Sequence, residues 1–396
     1  MNRTMTRVVP LIAAIVLAAG AAHALPGLDK LKDKAKAAAQ AAKSAPAPKA
    51  AETPASASDS TNSGEQPGAA AEPGAAGAGS EPPGKGVWLN YDFVPGDRTI
   101  WVEDFMEDNV GDFPHRMQLK DGNFEVVEIK GRHYLRTVEG GYVTFELPEA
   151  LPQRFTVEVE YHSPQDNNPL KFVTNTAQPA VQGACEFGCF MHTAYVYCAG
   201  KNSGARTTLP DDHGFIHARF TIDASYVKAY INEKRLANVP GAVVARTNKI
   251  QLQLPSGSEE DPTLITGLRI AEGGKKLYDV LAAKRRVATQ GILFDTGSDV
   301  IRPESTPTLK EIGTMLQAHA DLKLMIEGHT DNIGKDDANL ALSERRAAAV
   351  KGYLVANYAV DAARLQSKGF GASRPVAPNT TAEGRQNNRR VELVRI

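Results

Sequence analysis

The chain has 396 residues, enough for two or three domains of ordinary size. Its 42% hydrophobic and 23% charged residues match a globular protein, and a formal net charge of −1 argues against nucleic acid as a partner. An aromatic content of 7% is low for a protein that wears aromatic girdles in a membrane.

Residues 1–24 predict a secretory signal peptide. Arg3 and Arg7 form a basic start, residues 8–19 an apolar run, and Ala22-His23-Ala24 a small-x-small cleavage site. The run is too short to cross a ~30 Å hydrocarbon core. No cysteine follows it, so the mature chain is expected to begin at Leu25 without lipid attachment. Residues 25–43 are rich in Ala and Lys, with Leu25, Leu28 and Leu31 at helical spacing, and predict a short, weakly amphipathic helix. Residues 44–86 are built mainly of Ala, Pro, Gly and Ser and contain no Leu, Ile, Val, Met or aromatic residue. Such a stretch cannot offset its ordering entropy and predicts a disordered tether spanning roughly 35–40 Å.

Residues 87–276 switch to period two. Phe155, Val157, Val159 and Tyr161 alternate with Thr156, Glu158 and Glu160, and further runs of the same kind end in turn residues. Ile231-Asn-Glu-Lys-Arg235 reads as a hairpin connection. The expectation is an antiparallel β-sandwich. The pieces Asp104-Phe105, Val110-Gly-Asp-Phe-Pro114 and Val227-Lys-Ala-Tyr-Ile-Asn232 resemble concanavalin-like or laminin-G-like jelly rolls, which implies a carbohydrate- or protein-binding surface. Glu158-Val-Glu160 lacks the third carboxylate of the jelly-roll glucanases, so alternating Glu on a solvated face is expected rather than a wall-anchored glycan hydrolase. An outer-membrane barrel is a further alternative, disfavoured by uneven strand lengths. Cys185, Cys189 and Cys198 predict one disulfide and one leftover thiol, with the pair undetermined. With His192 they could also form a zinc set, although no metal or other cofactor is expected.

A stretch around residues 277–286 leads into the last predicted domain, residues 287–396. Its expected order is β-α-β-α-β: a strand at 291–294, a helix from Thr306-Pro307, a strand at 322–327, a helix at about 338–357, a capped turn at Asp361 and a strand at 391–396. Three groups of residues carry a resemblance. They are Leu293-Phe-Asp-Thr-Gly297; then Ile326-Glu-Gly-His-Thr-Asp-Asn-Ile-Gly334 with Asn339-Leu-Ala-Leu-Ser-Glu-Arg-Arg-Ala347; and finally Gly369-Phe-Gly371, Pro375 and Asn379-Thr-Thr-Ala-Glu-Gly-Arg-Gln-Asn-Asn-Arg-Arg-Val391. In this order they resemble the OmpA C-terminal domain, a module also found in flagellar-motor stators and an outer-membrane lipoprotein.

The resemblance implies binding to peptidoglycan through the diaminopimelate of its stem peptide. That zwitterion asks for a fixed anion beside a fixed cation, roles that fall to Asp331 and Arg346. Asn339, Leu342 and Arg346 follow i, i+3, i+7 spacing and share a helix face. Asp295, Gly297 and Arg389 sit where the family lines its site, although Gly297 offers only backbone where relatives often carry a polar side chain. His329 reads as a hydrogen-bonded structural histidine. The expectation is a non-enzymatic protein of the periplasm, associated with the cell wall and the outer membrane. It would tether a sandwich that binds a glycan or an envelope protein.

Overall fold

The computed structural model describes residues 82–86, 91–164, 169–174, 185–198, 201–207, 214–224, 226–273 and 276–396. The expected leader (1–24), the short helix (25–43) and the tether as far as residue 81 lie outside the described residues. Residues 82–86 pack on the C-terminal domain: Tyr353 Oη donates to Pro83 O (2.9 Å) and Gly84 N to Thr306 Oγ1 (2.8 Å).

Among the described residues, fifteen strands build the middle region. The first five are β1 (Arg98–Glu103), β2 (Gln118–Gly122), β3 (Glu125–Ile129), β4 (Arg132–Thr137) and β5 (Gly141–Glu146). Next come β6 (Phe155–His162), β7 (Leu170–Val173), β8 (Glu186–Cys189), β9 (Thr193–Cys198) and β10 (Lys201–Arg206). The last five are β11 (Ile216–Asp223), β12 (Tyr226–Ile231), β13 (Lys234–Pro240), β14 (Lys249–Leu254) and β15 (Thr263–Glu272). One sheet runs β13-β12-β11-β6-β15-β4-β3, with β1 also pairing β15; the other runs β10-β9-β8-β7-β14-β5-β2. Every pairing in both is antiparallel.

Aromatic rings from the two sheets meet between them. Phe187 of β8 lies 5.0 Å from Phe220 of β11, and Trp101 of β1 stacks 5.2 Å from Phe145 of β5. Two sheets enclosing an apolar core correct the barrel alternative, since such a barrel would be one closed sheet with a polar interior. The hairpin between β12 and β13 turns at Asn232 (φ +51°), a side chain that tolerates the left-handed region.

The disulfide joins Cys185 to Cys198, facing positions that close the β8–β9 hairpin. This rules out the zinc set, because two of its thiolates are spent on each other. Cys189 is the leftover thiol, fully buried, and burial pushes its pKa well up.

The C-terminal domain begins with α1 (Leu277–Lys284), whose Leu277 and Leu281 enter its core, followed by β16 (Arg286–Thr289). After a 3-10 turn at Pro303–Ser305 come α2 (Thr306–Ala318), β17 (Leu324–His329) and α3 (Asp336–Tyr358). A second 3-10 turn, Ala362–Arg364, precedes β18 (Leu365–Gly369), α4 (Ala382–Asn388) and β19 (Arg390–Arg395). The sheet order is β16-β19-β17-β18, with only β17 and β18 parallel. The expected five-element β-α-β-α-β order thus lacks α1, where only a joining stretch was expected, as well as β18 and α4, and its first strand lies at β16 instead of 291–294. Residues 291–294 form no strand: Phe294 makes a single bridge to Ile301, and the intervening loop turns at Gly297 (φ +67°). The spacing of Leu309, Ile312 and Leu316 does bury one face of α2, and Asp361 does cap its turn by accepting from Ala363 N.

The two folded regions share a seam. α4 lies against β1, where Asn387 copies a strand partner: its Oδ1 accepts from Thr99 N (2.8 Å) and its Nδ2 donates to Thr99 O (3.1 Å). Glu383 accepts from Val102 N (3.1 Å) and pairs with Arg116 (2.6 Å). A strand edge is thereby covered by side chains rather than left open. Among the described residues no helix is long and apolar enough to cross a membrane.

Candidate functional site

The C-terminal end of β17 and the loop after it hold Asp331. Gly328 lets α3 lie directly on this strand, since an added Cβ would stand 2.3 Å from Ser343 O. Asp331 is 7% exposed. Its Oδ1 accepts from Ile333 N (3.0 Å) and its Oδ2 from Arg389 Nη1 (2.5 Å), so the carboxylate is fixed by one loop amide and one guanidinium.

One helix ties two loops together. Near the start of α3, buried Asn339 donates from Nδ2 to Ile333 O (2.9 Å), holding the Asp331 loop. Two turns later, buried Arg346 donates from Nε to Ser298 O (2.9 Å) and from Nη2 to Asp295 O (3.3 Å), holding the loop around Gly297. The guanidinium also lies over the Phe294 ring, 4.8 Å from its centroid. Leu342 falls between them on the helix and is half-buried. Asp295 is half-buried and lends its backbone oxygen, while Gly297 is exposed with open space where a side chain would be. The structure therefore brings Asp331, Arg389 and Asn339 together, and Arg346 together with the Asp295 loop. The arrangement offers a fixed carboxylate and a fixed guanidinium on one helix-bound rim.

His329 departs from expectation. It is buried against Phe370, with ring centroids 5.5 Å apart, yet neither ring nitrogen has a hydrogen-bond partner among the described residues. Burial, then the neighbouring Arg390, lowers its pKa to about 4, so it is neutral near pH 7. Glu327 and Glu392 lie close by, but Arg286, Arg374 and Arg390 already neutralise them.

A cavity of about 230 Å³ opens beside Arg346 and Arg389, and its far wall is the sandwich. Glu158 and Glu160 line this wall, which corrects the expectation of a solvated face. Period two separates the two faces of β6 but does not say what covers the second one. Glu160 is 4% exposed and pairs with Arg132 (2.9 Å); Glu158 pairs with Arg269 (2.6 Å). Arg302 of the C-terminal domain joins Glu304 (2.7 Å), whose carboxylate also lies 3.9 Å from Arg219 of β11. Sequence reasoning missed Arg132, Arg219 and Arg302. The one available signal was Glu-x-Glu on an otherwise apolar strand, which asks for in-register partners.

The OmpA family model matches residues 293–389, and this stretch is an OmpA-family domain. Outer membrane porin F of Pseudomonas aeruginosa is 43% identical over 101 residues, 26% of this chain and 29% of that protein. Outer membrane protein A of Bordetella avium is 40% identical over 128 residues, 32% of this chain and 64% of that protein. Among solved structures, the peptidoglycan-associated lipoprotein from Burkholderia pseudomallei is 29% identical, covering 31% of this chain and 100% of that one, with a TM-score of 0.26. The chain thus spans less than two thirds of the two curated relatives named. The family match lies wholly in the C-terminal domain, so the jelly-roll resemblance of the middle region is not confirmed by it.

Proposed function

We propose that this chain is a non-enzymatic wall anchor that binds peptidoglycan non-covalently and holds its sandwich at the cell wall. The ligand is the diaminopimelate of the stem peptide, with Asp331 receiving its ammonium and Arg346 its carboxylate. The observation that carries this reading is α3 fixing both loops at once, through Asn339 on the Asp331 side and Arg346 on the Asp295 side. A zwitterion needs its two partners held at a set spacing before it arrives, and that preorganisation is what one rigid helix supplies. Arg389 steadies the anion, Leu342 walls the pocket, and the Gly297 loop contributes backbone. The OmpA-family domain and outer-membrane relatives support a place in the periplasm beside the outer membrane. We take the sandwich as residues 87–276 and begin the anchor at Leu277 rather than 287, because Leu277 and Leu281 enter its core.

The ion pairs of Glu158 and Glu160 speak for binding over hydrolysis. A retaining glycosidase needs one carboxyl free to give up a proton, whereas both of these are neutralised by arginines. The test is co-sedimentation of the purified chain with peptidoglycan sacculi. Wild type pellets, and Asp331→Ala and Arg346→Ala stay in solution while keeping their circular dichroism spectra. If the folded variants pellet as well as wild type, the reading is wrong.

A further inference from the structure

We propose that the sandwich is the second wall of the peptidoglycan site, and that Arg132 grips a stem-peptide carboxylate lying beyond the carbon held by Asp331 and Arg346. The proposal rests on the anchoring function above and extends it to a longer piece of the same ligand.

The cavity is shared by the two regions. Arg346 and Arg389 line it from the anchor, and Arg132, Glu160, His217 and Arg219 from the sandwich. Eight arginines line it; seven are ion-paired with carboxylates in or just behind the wall, and Arg346 is held by backbone oxygens. Docking one domain on another does not require such a wall. Buried ion pairs are no more stabilising than apolar packing of the same volume, and apolar packing would leave no cavity. The wall is also opened locally. The β15–β6 register shifts between Thr266 and Arg269, where Gly267 takes φ +60° and faces the cavity. Bulges of this kind occur where a sheet re-aims its side chains.

Arg132 is the group equipped to take a ligand. Its Nη2 donates to both oxygens of nearly buried Glu160, at 2.9 Å each, and its guanidinium lies 5.4 Å from the Tyr134 ring. Those contacts fix the plane through one nitrogen. Nε and Nη1, which sit on different edges of the guanidinium either side of Nη2, make no hydrogen bond among the described residues, and the side chain is 25% exposed. Each can donate one charge-assisted hydrogen bond to a ligand carboxylate while Nη2 stays on Glu160. Glu160 then acts as a positioning residue, holding Arg132 without touching the ligand.

The test is titration calorimetry on the full chain with two probes, free diaminopimelate and a soluble muropeptide carrying a diaminopimelate-containing stem. Wild type is expected to bind the muropeptide more tightly than the free amino acid. Arg132→Gln raises the muropeptide Kd about tenfold, the equivalent of one charge-assisted pair, and affects free diaminopimelate much less. Arg132→Lys falls between, because it keeps the charge and loses the fixed guanidinium plane that reaches Glu160 and the ligand at once. Removing Arg132 alone strands buried Glu160, so the double variant Arg132→Gln/Glu160→Gln is measured alongside and should show the same selective loss. Equal weakening for both probes, as a merely distorted pocket would give, overturns the proposal. So does wild-type muropeptide affinity in the double variant while Asp331→Ala abolishes binding; the anchor then stands without the sandwich. If wild type binds neither probe, the anchor reading itself falls and this inference falls with it.

Discussion

Asp331 and Arg346 do different work in the site, and their conservative variants should separate it. Asp331→Asn keeps an oxygen for Ile333 N and loses the charge that meets both Arg389 and a ligand ammonium. Its thermal midpoint should move little, while sacculus binding drops by about tenfold or more, since hydrogen bonds to charged groups are worth about 1.5–3 kcal/mol. Arg346→Lys keeps the charge and cannot reach Ser298 O and Asp295 O together. Its loop loosens, so both affinity and melting temperature should fall; a Lys variant with wild-type values for both would remove Arg346 from the proposed site. These two positions entered through the family resemblance, because a carboxylate after Gly-His-Thr and an arginine seven residues after Asn339 read singly as an ordinary turn residue and an ordinary helix residue. Arg132 was not legible, because nothing on its own strand reveals that Glu160 faces it from β6 and that another domain covers both.

At the scale of elements, α4 is the piece that local pattern could not announce. Ala-Glu-Gly-Arg-Gln-Asn-Asn has no apolar periodicity. The helix is held by polar fixtures instead: Thr381 caps Gly384 N, and buried Asn388 binds Val376 N, Ala377 N and Ala377 O. β18 escaped notice for a related reason, as Leu365 is its one large apolar residue and three of its five positions are exposed. By contrast, the alternation of β6 and the three-four spacing of α2 were readable, because each buries a full apolar face. The seam makes α4 testable. Asn387→Ala leaves Thr99 N and Thr99 O without their side-chain partner, and should lower unfolding stability by about 1–3 kcal/mol in urea. Asn387→Asp keeps the acceptor for Thr99 N but sets a carboxylate oxygen against Thr99 O, so its loss should be no smaller than that of the Ala variant. Equal stability of wild type and the Ala variant would show that β1 and α4 do not depend on each other. The β8–β9 hairpin gives an independent measure: Cys185→Ser with Cys198→Ser should cost about 3 kcal/mol for a loop of this length, and Cys189→Ser should act through the core instead.

For the molecule as a whole, the seam between sandwich and anchor should weaken as pH rises through neutrality. β1 is bracketed by two carboxyls that resist ionisation. Burial raises Asp97 to about 7, reinforced by the charges of Glu311 and Glu272 and opposed by Arg269. Burial likewise raises Glu103 to about 7, opposed by Arg116. Glu311, which faces Asp97 from α2, is also raised by burial. The folded chain therefore keeps protons that the unfolded chain has released, and raising the pH favours the state that binds fewer. On account of these groups, stability is highest near the ordinary carboxylate range of about pH 4, declines up to about pH 7 and is level above. His217 and His329, both lowered by burial, act in the opposite sense below their ordinary value of 6.5. A single melting curve would mix the two effects, so the informative quantity is the difference between wild type and Asp97→Asn/Glu103→Gln from pH 5 to pH 8. That difference should favour the variant increasingly toward pH 7, by a few degrees, and then stop growing, because only the carboxyls have been removed. A constant difference across the range would mean that Asp97 and Glu103 ionise normally in the folded chain. The seam would then owe no pH dependence to these two carboxyls, and Asn387, Glu383 and the Arg219–Glu304 contact would hold the sandwich against the anchor.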